Sequence, residues 1–294
     1  MRSNFFWLIF LFFCTGLWSQ HSLHYSLKKG DTYVVEQNAQ QFITQQIEGV
    51  KHELENTVKG KMEFKVAEVK DDLYEIDMVF LALGMRINSN LQGELMNVDA
   101  NQVIEGDAQS KIFNSLLNKP VRLKLARSGN ILSVDGGDQL ISKMTEASGI
   151  TDEVSKNALK ESLRSEFGSE ALSNSFEQMT YIYPEVADSL QRSWKNEYNG
   201  KLSAKNIWTL EKSTQAENYI KGQADIEVDI EDTGTSMSLS GKQETTITAD
   251  IATGFILDMV VEGYSEGTAM TDITGDVAIP TTVRSITSYK LIRN

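Results

Sequence analysis

Cysteine is nearly missing from this chain: Cys14 is the single thiol. It sits in the stretch LFFCTGLWSQ, behind Arg2 and next to an apolar run from Phe5 to Phe13. A short positive start, an apolar run too short to span a bilayer and a small or polar close make up a secretory leader. Cleavage is expected after Ser19, with Gln20 nearly as good a site; taken at Ser19, residues 1–19 form a signal peptide and residues 20–294 the exported protein. Phe12 and Phe13 ahead of Cys14 are too bulky for a lipoprotein cleavage site, which disfavours lipidation there. Without Cys14 the mature chain has no disulfide, no sulfur-ligated metal and no cysteine nucleophile.

Other scarcities exclude more. Proline occurs at 120, 184 and 280 only, and no Pro-rich or Ser-rich run offers a linker, so one domain is expected. A formal net charge of −13 repels phosphate backbones and disfavours nucleic acid as a partner. After the leader no apolar run reaches transmembrane length. Histidine occurs three times, at 21, 24 and 52, too rarely for a protein zinc cage, and no HExxH is present.

What is present is strand periodicity at both ends and helix periodicity between them. Residues 20–100 form a β zone. In KMEFKVAEV, Met62, Phe64 and Val66 alternate with charged residues, and Tyr74, Ile76 and Met78 do the same. Turns are expected at Lys29-Gly30-Asp31, Lys59-Gly60 and Asp71-Asp72. Residues 107–181 form a helical insert. Asp107 is a candidate N-cap for a helix carrying Ile112, Phe113, Leu116 and Leu117, ended by Pro120. A hairpin at 121–135 turns on Ser128-Gly129-Asn130. Three further helices follow, separated by Gly149 and Gly168. Residues 190–294 return to alternation, with Ile226, Val228 and Ile230 opposite Asp225, Glu227, Asp229 and Glu231. Two long strands flank Ala252-Thr253-Gly254, and Pro280 opens a last strand, where its missing N–H does least harm. The openings Asp31-Thr32-Tyr33 and Arg192-Ser193-Trp194 hint at an internal repeat.

Several of these residues together resemble a family of uncharacterised secreted proteins of Bacteroidetes-type Gram-negative bacteria. They are the opening Lys29-Gly30-Asp31-Thr32-Tyr33, the hairpin Pro120-Val121, Gly129-Asn130-Ile131 and Val134-Asp135-Gly136, and the return Tyr183-Pro184 and Ser193-Trp194. The chain departs from the family pattern in carrying Gln191-Arg192, not Gly-Asp, before Ser193-Trp194. The resemblance brings no catalytic residues. A second likeness is architectural: a leader, long amphipathic strands and central helices are similar to periplasmic lipoprotein carriers, whose incomplete barrels hold acyl chains against helices.

The sequence carries no recognisable catalytic or metal-ligating set, and no cofactor is expected. His21 and His24 have H-x-x-H spacing but lie at the mature N-terminus, where frayed backbone rarely holds a metal. His52 falls in the charged segment GVKHELEN, read as a hairpin tip. There it is solvated, or at most one half of a Ser–His dyad. No G-x-S-x-G elbow occurs, and Ser236, Ser238 and Ser240 alternate as an outer strand face. The acidic stripe at 225–231 could chelate Ca²⁺, but as a hydrated face it also guards a sheet edge against aggregation. Asp250 to Gly254 lacks the contiguity of an Asp-Thr-Gly protease triplet and the Gly-Lys-Ser/Thr of a P-loop, and reads as a turn. Nine methionines spread over strands and helices fill a core or line an adaptable apolar cavity.

The expected fold is α+β: curved antiparallel sheets from the two outer zones, with the central helices packed on them like the filling of an incomplete barrel. The expected function is a non-enzymatic, periplasmic or secreted binding or assembly protein for an unknown protein or apolar ligand. The alternatives are a carrier of a lipid in a sheet–helix cleft and a carboxylate-dependent hydrolase. A cavity of several hundred Å³ between sheet and helices would favour the carrier, and two facing carboxylates in a polar cleft the hydrolase.

Overall fold

The computed structural model describes residues 23–186, 192–232, 234–271 and 277–292. The segment expected to be a leader, with Cys14, and His21 lie outside the described residues.

The alternating segments form strands. β1 (Thr32–Ile47), β2 (Val50–Lys70) and β3 (Leu73–Ser89) make a meander, with β4 (Gly93–Asp99) paired to the end of β3. After the insert come β7 (Ser193–Tyr198), β8 (Leu202–Ser213), β9 (Glu217–Asp232), β10 (Thr235–Asp250), β11 (Ile256–Thr271) and β12 (Ile279–Ile292). Between them lie α1 (Ala108–Leu116), β5 (Val121–Ala126), β6 (Ile131–Asp135), α2 (Gly137–Ala147), α3 (Glu153–Phe167) and α4 (Ser169–Thr180). The two β zones do not form separate sheets. β1 pairs with β12 from Val34↔Ile292 to Gln45↔Thr281, which joins them into one antiparallel sheet of order β6-β5-β3-β2-β1-β12-β11-β10-β9-β8-β7. β1 therefore lies mid-sheet and β7 at an edge, so the two similar openings are not topologically equivalent.

Period two sets the faces of the sheet. Met62, Phe64 and Val66 are buried, and so are Tyr74, Ile76 and Met78 on the neighbouring strand. Phe176 of α4 meets Phe64 edge-on at 6.1 Å between ring centroids, and Phe113 of α1 meets Phe167 of α3 at 6.2 Å. Inward side chains of both β zones and of all four helices share one apolar cluster, so the sheet wraps the helices, while Tyr198, Ala204, Ala224 and Ile226 of β7–β9 form a smaller separate one. Asp107 caps α1 as its sequence implies, accepting from the Gln109 and Ser110 amides. Asp152 caps α3 by accepting from Ser155 N at 2.8 Å.

Of the three turns expected in the first β zone, two hold and one does not: Lys29-Gly30-Asp31 turns with Gly30 at φ 92° and Asp31 N donating to Lys28 O at 3.0 Å. Asp71 (φ 48°) and Asp72 (φ 68°) do make the β2–β3 turn, since Asp tolerates the left-handed region. Lys59-Gly60 does not turn. Gly60 lies inside β2, paired with Gln37 and Leu83, one step from a bulge at Lys61/Met62. A strand glycine beside a bulge mimics a turn in sequence. His52 likewise sits within β2 opposite Gln45, while the hairpin tip is Glu48-Gly49.

The sheet stays open between β6 and β7, and residues 180–183 strap the gap. On the β5–β6 side, Thr180 Oγ1 donates to Gly129 O (2.8 Å) and Tyr183 N to Ser128 O (3.1 Å). On the β7 side, Trp194 Nε1 donates to Ile182 O (3.0 Å) and Asn196 Nδ2 to Tyr181 O (2.8 Å). From below, Tyr25 Oη donates to Thr180 O (3.0 Å) and Tyr183 Oη to Gly254 O (2.7 Å). Gly129 adopts φ +93°, and a Cβ there would overlap the Thr180 carbonyl. Three residues of the family-like pattern, Gly129, Tyr183 and Trp194, thus converge on one backbone strap. The opening segment of that pattern is also tied down: Asp31 accepts from Lys28 N (2.8 Å) and Tyr33 Oη (3.2 Å), and Tyr33 stacks on Phe255 at 3.9 Å.

Candidate ligand cavity

Most residues singled out from sequence are placed by the fold outside any common site. Asp225, Glu227, Asp229 and Glu231 are exposed on β9, and Asp229 accepts from Ser238 Oγ of β10 at 2.9 Å. Ser238 and Ser240 are exposed and Ser236 half-buried. His24 Nδ1 lies 2.8 Å from Tyr25 O. His52 Nε2 lies 3.0 Å from Ser89 Oγ, a serine with no sequence signal. That pair serves the fold, because Ser89 is buried and its hydroxyl already accepts from the Leu91 and Gln92 amides of the β3–β4 turn. Asp250 Oδ2 accepts from the Thr253 amide (2.9 Å) and hydroxyl (2.7 Å), which closes the turn read from the sequence. Among the described residues, no group of three or more His, Cys, Asp or Glu could hold a metal ion.

The feature that sequence reasoning could not assemble is a cavity. The helices cover the half of the concave face that carries Met62, Phe64, Ile76 and Met259. Further along the strands they stop, and a cavity of about 490 Å³ remains against the sheet. Val58, Met85 and Ile87 of β2 and β3 form one wall. Ile226, Val228 and Ile230 of β9, the alternating residues recognised from sequence, form the opposite one. The floor is β1, β12, β11 and β10, with Gln41, Ser285, Thr287 and Gln243 among its polar groups. Methionine contributes little: Met62, Met78, Met144, Met179 and Met259 fill the core, and Met85 lines the cavity.

The electrostatics are mild. Among the described lining residues the charged ones are Arg86, Glu166 and Lys201. Arg86 is engaged by Glu94 at 2.9 Å, and Lys201 by Glu166 at 2.9 Å. The Glu166–Lys201 pair links the end of α3 to the β7–β8 turn, where the cavity meets a second, more open hollow of about 660 Å³. Burial pushes the Tyr289 phenol, which lines the cavity, well up. It pushes Tyr198 on β7 up to about 12. Half-buried Glu177 of α4 is lifted above its ordinary range by loss of hydration, partly offset by the Ile131 amide that it accepts at 3.3 Å. Glu177 sits on the strap side, so no pair of carboxylates among the described residues faces across the cavity. On the convex face, Phe42, Tyr264 and Ile286 are exposed around Arg284, whose guanidinium lies 5.8 Å from the Tyr264 ring.

Residues 71–256 match a family of unknown function, DUF6263. No curated protein matches. Among solved structures, one of lipovitellin, described by its lipid–protein interactions, superposes with a TM-score of 0.53 at 10% identity, covering 91% of this chain and 26% of that one. The chain thus spans about a quarter of the lipovitellin chain, and the likeness is one of fold. An outer membrane channel from Pseudomonas putida F1 aligns over 91% of this chain and 97% of its own at 8% identity, with a TM-score of 0.28. Among the described residues no helix is long and apolar enough to cross a membrane.

Proposed function

The chain belongs to the DUF6263 family, which carries no assigned activity, and we propose that it is a non-enzymatic binding protein that carries a lipid or similar apolar ligand in the sheet–helix cavity. The observation that carries this reading is the cavity of about 490 Å³ left where the helices stop, with aliphatic walls over a polar floor. That volume lies within the range of small-molecule sites and suits one acyl chain. An open, curved sheet whose interior is only partly filled by its own side chains has uncovered apolar surface, and covering it with a ligand is favourable at about 25 cal/mol per Å². The lipovitellin likeness supports the same reading, since that structure is described by its lipid–protein interactions and shares the fold over most of this chain. Export by the leader to the periplasm or beyond completes the proposal.

The test is displacement of N-phenyl-1-naphthylamine, a neutral probe whose emission rises in apolar surroundings, backed by native mass spectrometry of protein taken from its own host. The expected result is saturable probe binding that Val261→Trp, which fills the cavity, weakens at least about tenfold. Unchanged probe affinity in a folded Val261→Trp variant refutes the reading. A second reading, docking of a protein partner, rests on the Phe42/Tyr264/Ile286 patch around Arg284. Aromatic and arginine side chains together are typical of interface centres, and Phe42→Ser would abolish co-purification of a partner without affecting the probe.

A further inference from the structure

The registers of five adjacent strands place one uncharged polar row across the cavity floor. Asn56 on β2 lies opposite Gln41 on β1, and Gln41 opposite Ser285 on β12. Ser285 lies opposite Gly263 on β11, and Gly263 opposite Gln243 on β10. The rows on either side are richer in apolar residues. Toward the helices run Val58, Ala39, Thr287, Val261 and Thr245, and away from them Leu54, Ile43, Val283, Ser265 and Gly241, so each carries three apolar residues of five where the central row carries none. A water-facing sheet would not need such a belt, and a sealed core would not tolerate it, because buried amides and hydroxyls cost free energy unless bonded.

The belt is incompletely satisfied. Asn56 Nδ2 donates to Gln41 Oε1 at 3.1 Å, while Asn56 Oδ1 is buried without a partner. Whichever way the two amides are turned, the pair keeps one hydrogen-bonding atom spare. At the other end the Tyr198 hydroxyl is buried beside Gln243 without a well-aligned bond. In the middle stands Gly263, where a Cβ would come within 2.7 Å of Ser285 Oγ. A strand glycine there keeps the Ser285 hydroxyl uncovered and lets another molecule approach the floor.

Resting on the cavity reading above, we infer that the ligand is an uncharged amphiphile. Its hydroxyl or amide group bonds the belt Asn56–Gln41–Ser285–Gln243 inside the cavity, and its hydrocarbon lies along the aliphatic walls. A group that both donates and accepts suits a belt made of amides and a hydroxyl. A carboxylate or phosphate offers no donor. The cations on the lining, Arg86 and Lys201, are already held by Glu94 and Glu166. An unpaired buried anion is costly in a protein that is itself strongly acidic.

The test compares three ligands of one chain length against the naphthylamine probe, using the whole mature protein at neutral pH. They are 1-monopalmitoylglycerol, palmitate and methyl palmitate. The first displaces the probe at about tenfold lower concentration than either of the others, the effect of about one net hydrogen bond. The double variant Asn56→Leu, Ser285→Ala loses that advantage while still binding methyl palmitate as the wild type does, which shows an intact cavity. Palmitate equal to or stronger than the monoacylglycerol overturns the inference, and so does a variant that weakens all three alike. If all three displace the probe equally from the wild type, the belt proposal falls and the cavity reading stands. If none does, both fall.

Discussion

Gly129→Ala tests whether the 180–183 strap governs closure of the sheet, and Gly30→Ala supplies its control. The two glycines share nearly the same backbone angle, φ +93° and φ +92°. An alanine in that region costs about 1 kcal/mol at either site. The surroundings differ. A Cβ on Gly30 meets nothing within 4 Å, whereas on Gly129 it overlaps the Thr180 carbonyl and approaches the Tyr25 ring at 2.8 Å. Relief requires the strap to withdraw, which breaks Thr180 Oγ1→Gly129 O and Tyr25 Oη→Thr180 O. Two buried hydrogen bonds at about 1 kcal/mol each, with the carbonyls left unpaired, bring the total to roughly 3–5 kcal/mol. In urea, with a slope near ~3 kcal/mol per M, Gly30→Ala should move the unfolding midpoint by about 0.3 M and Gly129→Ala by at least about 1 M. Equal shifts for the two variants would show that the strap yields without cost and would refute the closure argument.

Trp194→Phe keeps the ring buried but removes the donor to Ile182 O, so it should destabilise by about 1–3 kcal/mol in the same urea assay. Tyr198→Phe removes a buried hydroxyl that has no partner, and should be neutral or stabilising by up to about 1 kcal/mol. Tyr25, Tyr183, Tyr198 and Tyr289 hold their protons more tightly folded than unfolded, mainly because burial strips hydration from the phenolate. Above the ordinary phenol range the unfolded chain therefore binds fewer protons, and stability falls as pH rises; an alkaline titration followed by circular dichroism should show unfolding above about pH 10, less steep in Tyr198→Phe. Glu177 is a raised carboxyl, so its contribution is present at acid pH and declines as pH climbs through its folded value. Glu177→Gln, which can still accept from the Ile131 amide, should flatten that decline in thermal melts between about pH 4 and 7.

The zoning of the chain was legible because period two and period 3.6 are written locally. Met62/Phe64/Val66, the Asp107 cap and the Ser128-Gly129-Asn130 turn each need only neighbours in sequence, and each lies where periodicity puts it. What was not legible depends on partners far apart. Nothing in β1 or β12 alone says that Gln41 will stand opposite Ser285, so neither the single sheet nor the polar row could be read. His52 paired with Ser89 is of the same kind. Gly60 misled because a glycine next to a bulge has the same local signature as a turn. Ile226, Val228 and Ile230 were recognised as an inward face, but whether a helix or a ligand would cover them depended on where α3 and α4 end.

The seam between β1 and β12 has a temporal consequence. Gln41 and Ser285 face each other across it, although most of the chain is synthesised between them. Contacts of that separation form late, after the entropy of closing a very long loop has been met. A nascent or truncated polypeptide can hold its hairpins and helices, yet the floor of the cavity exists only once the final strand has been delivered.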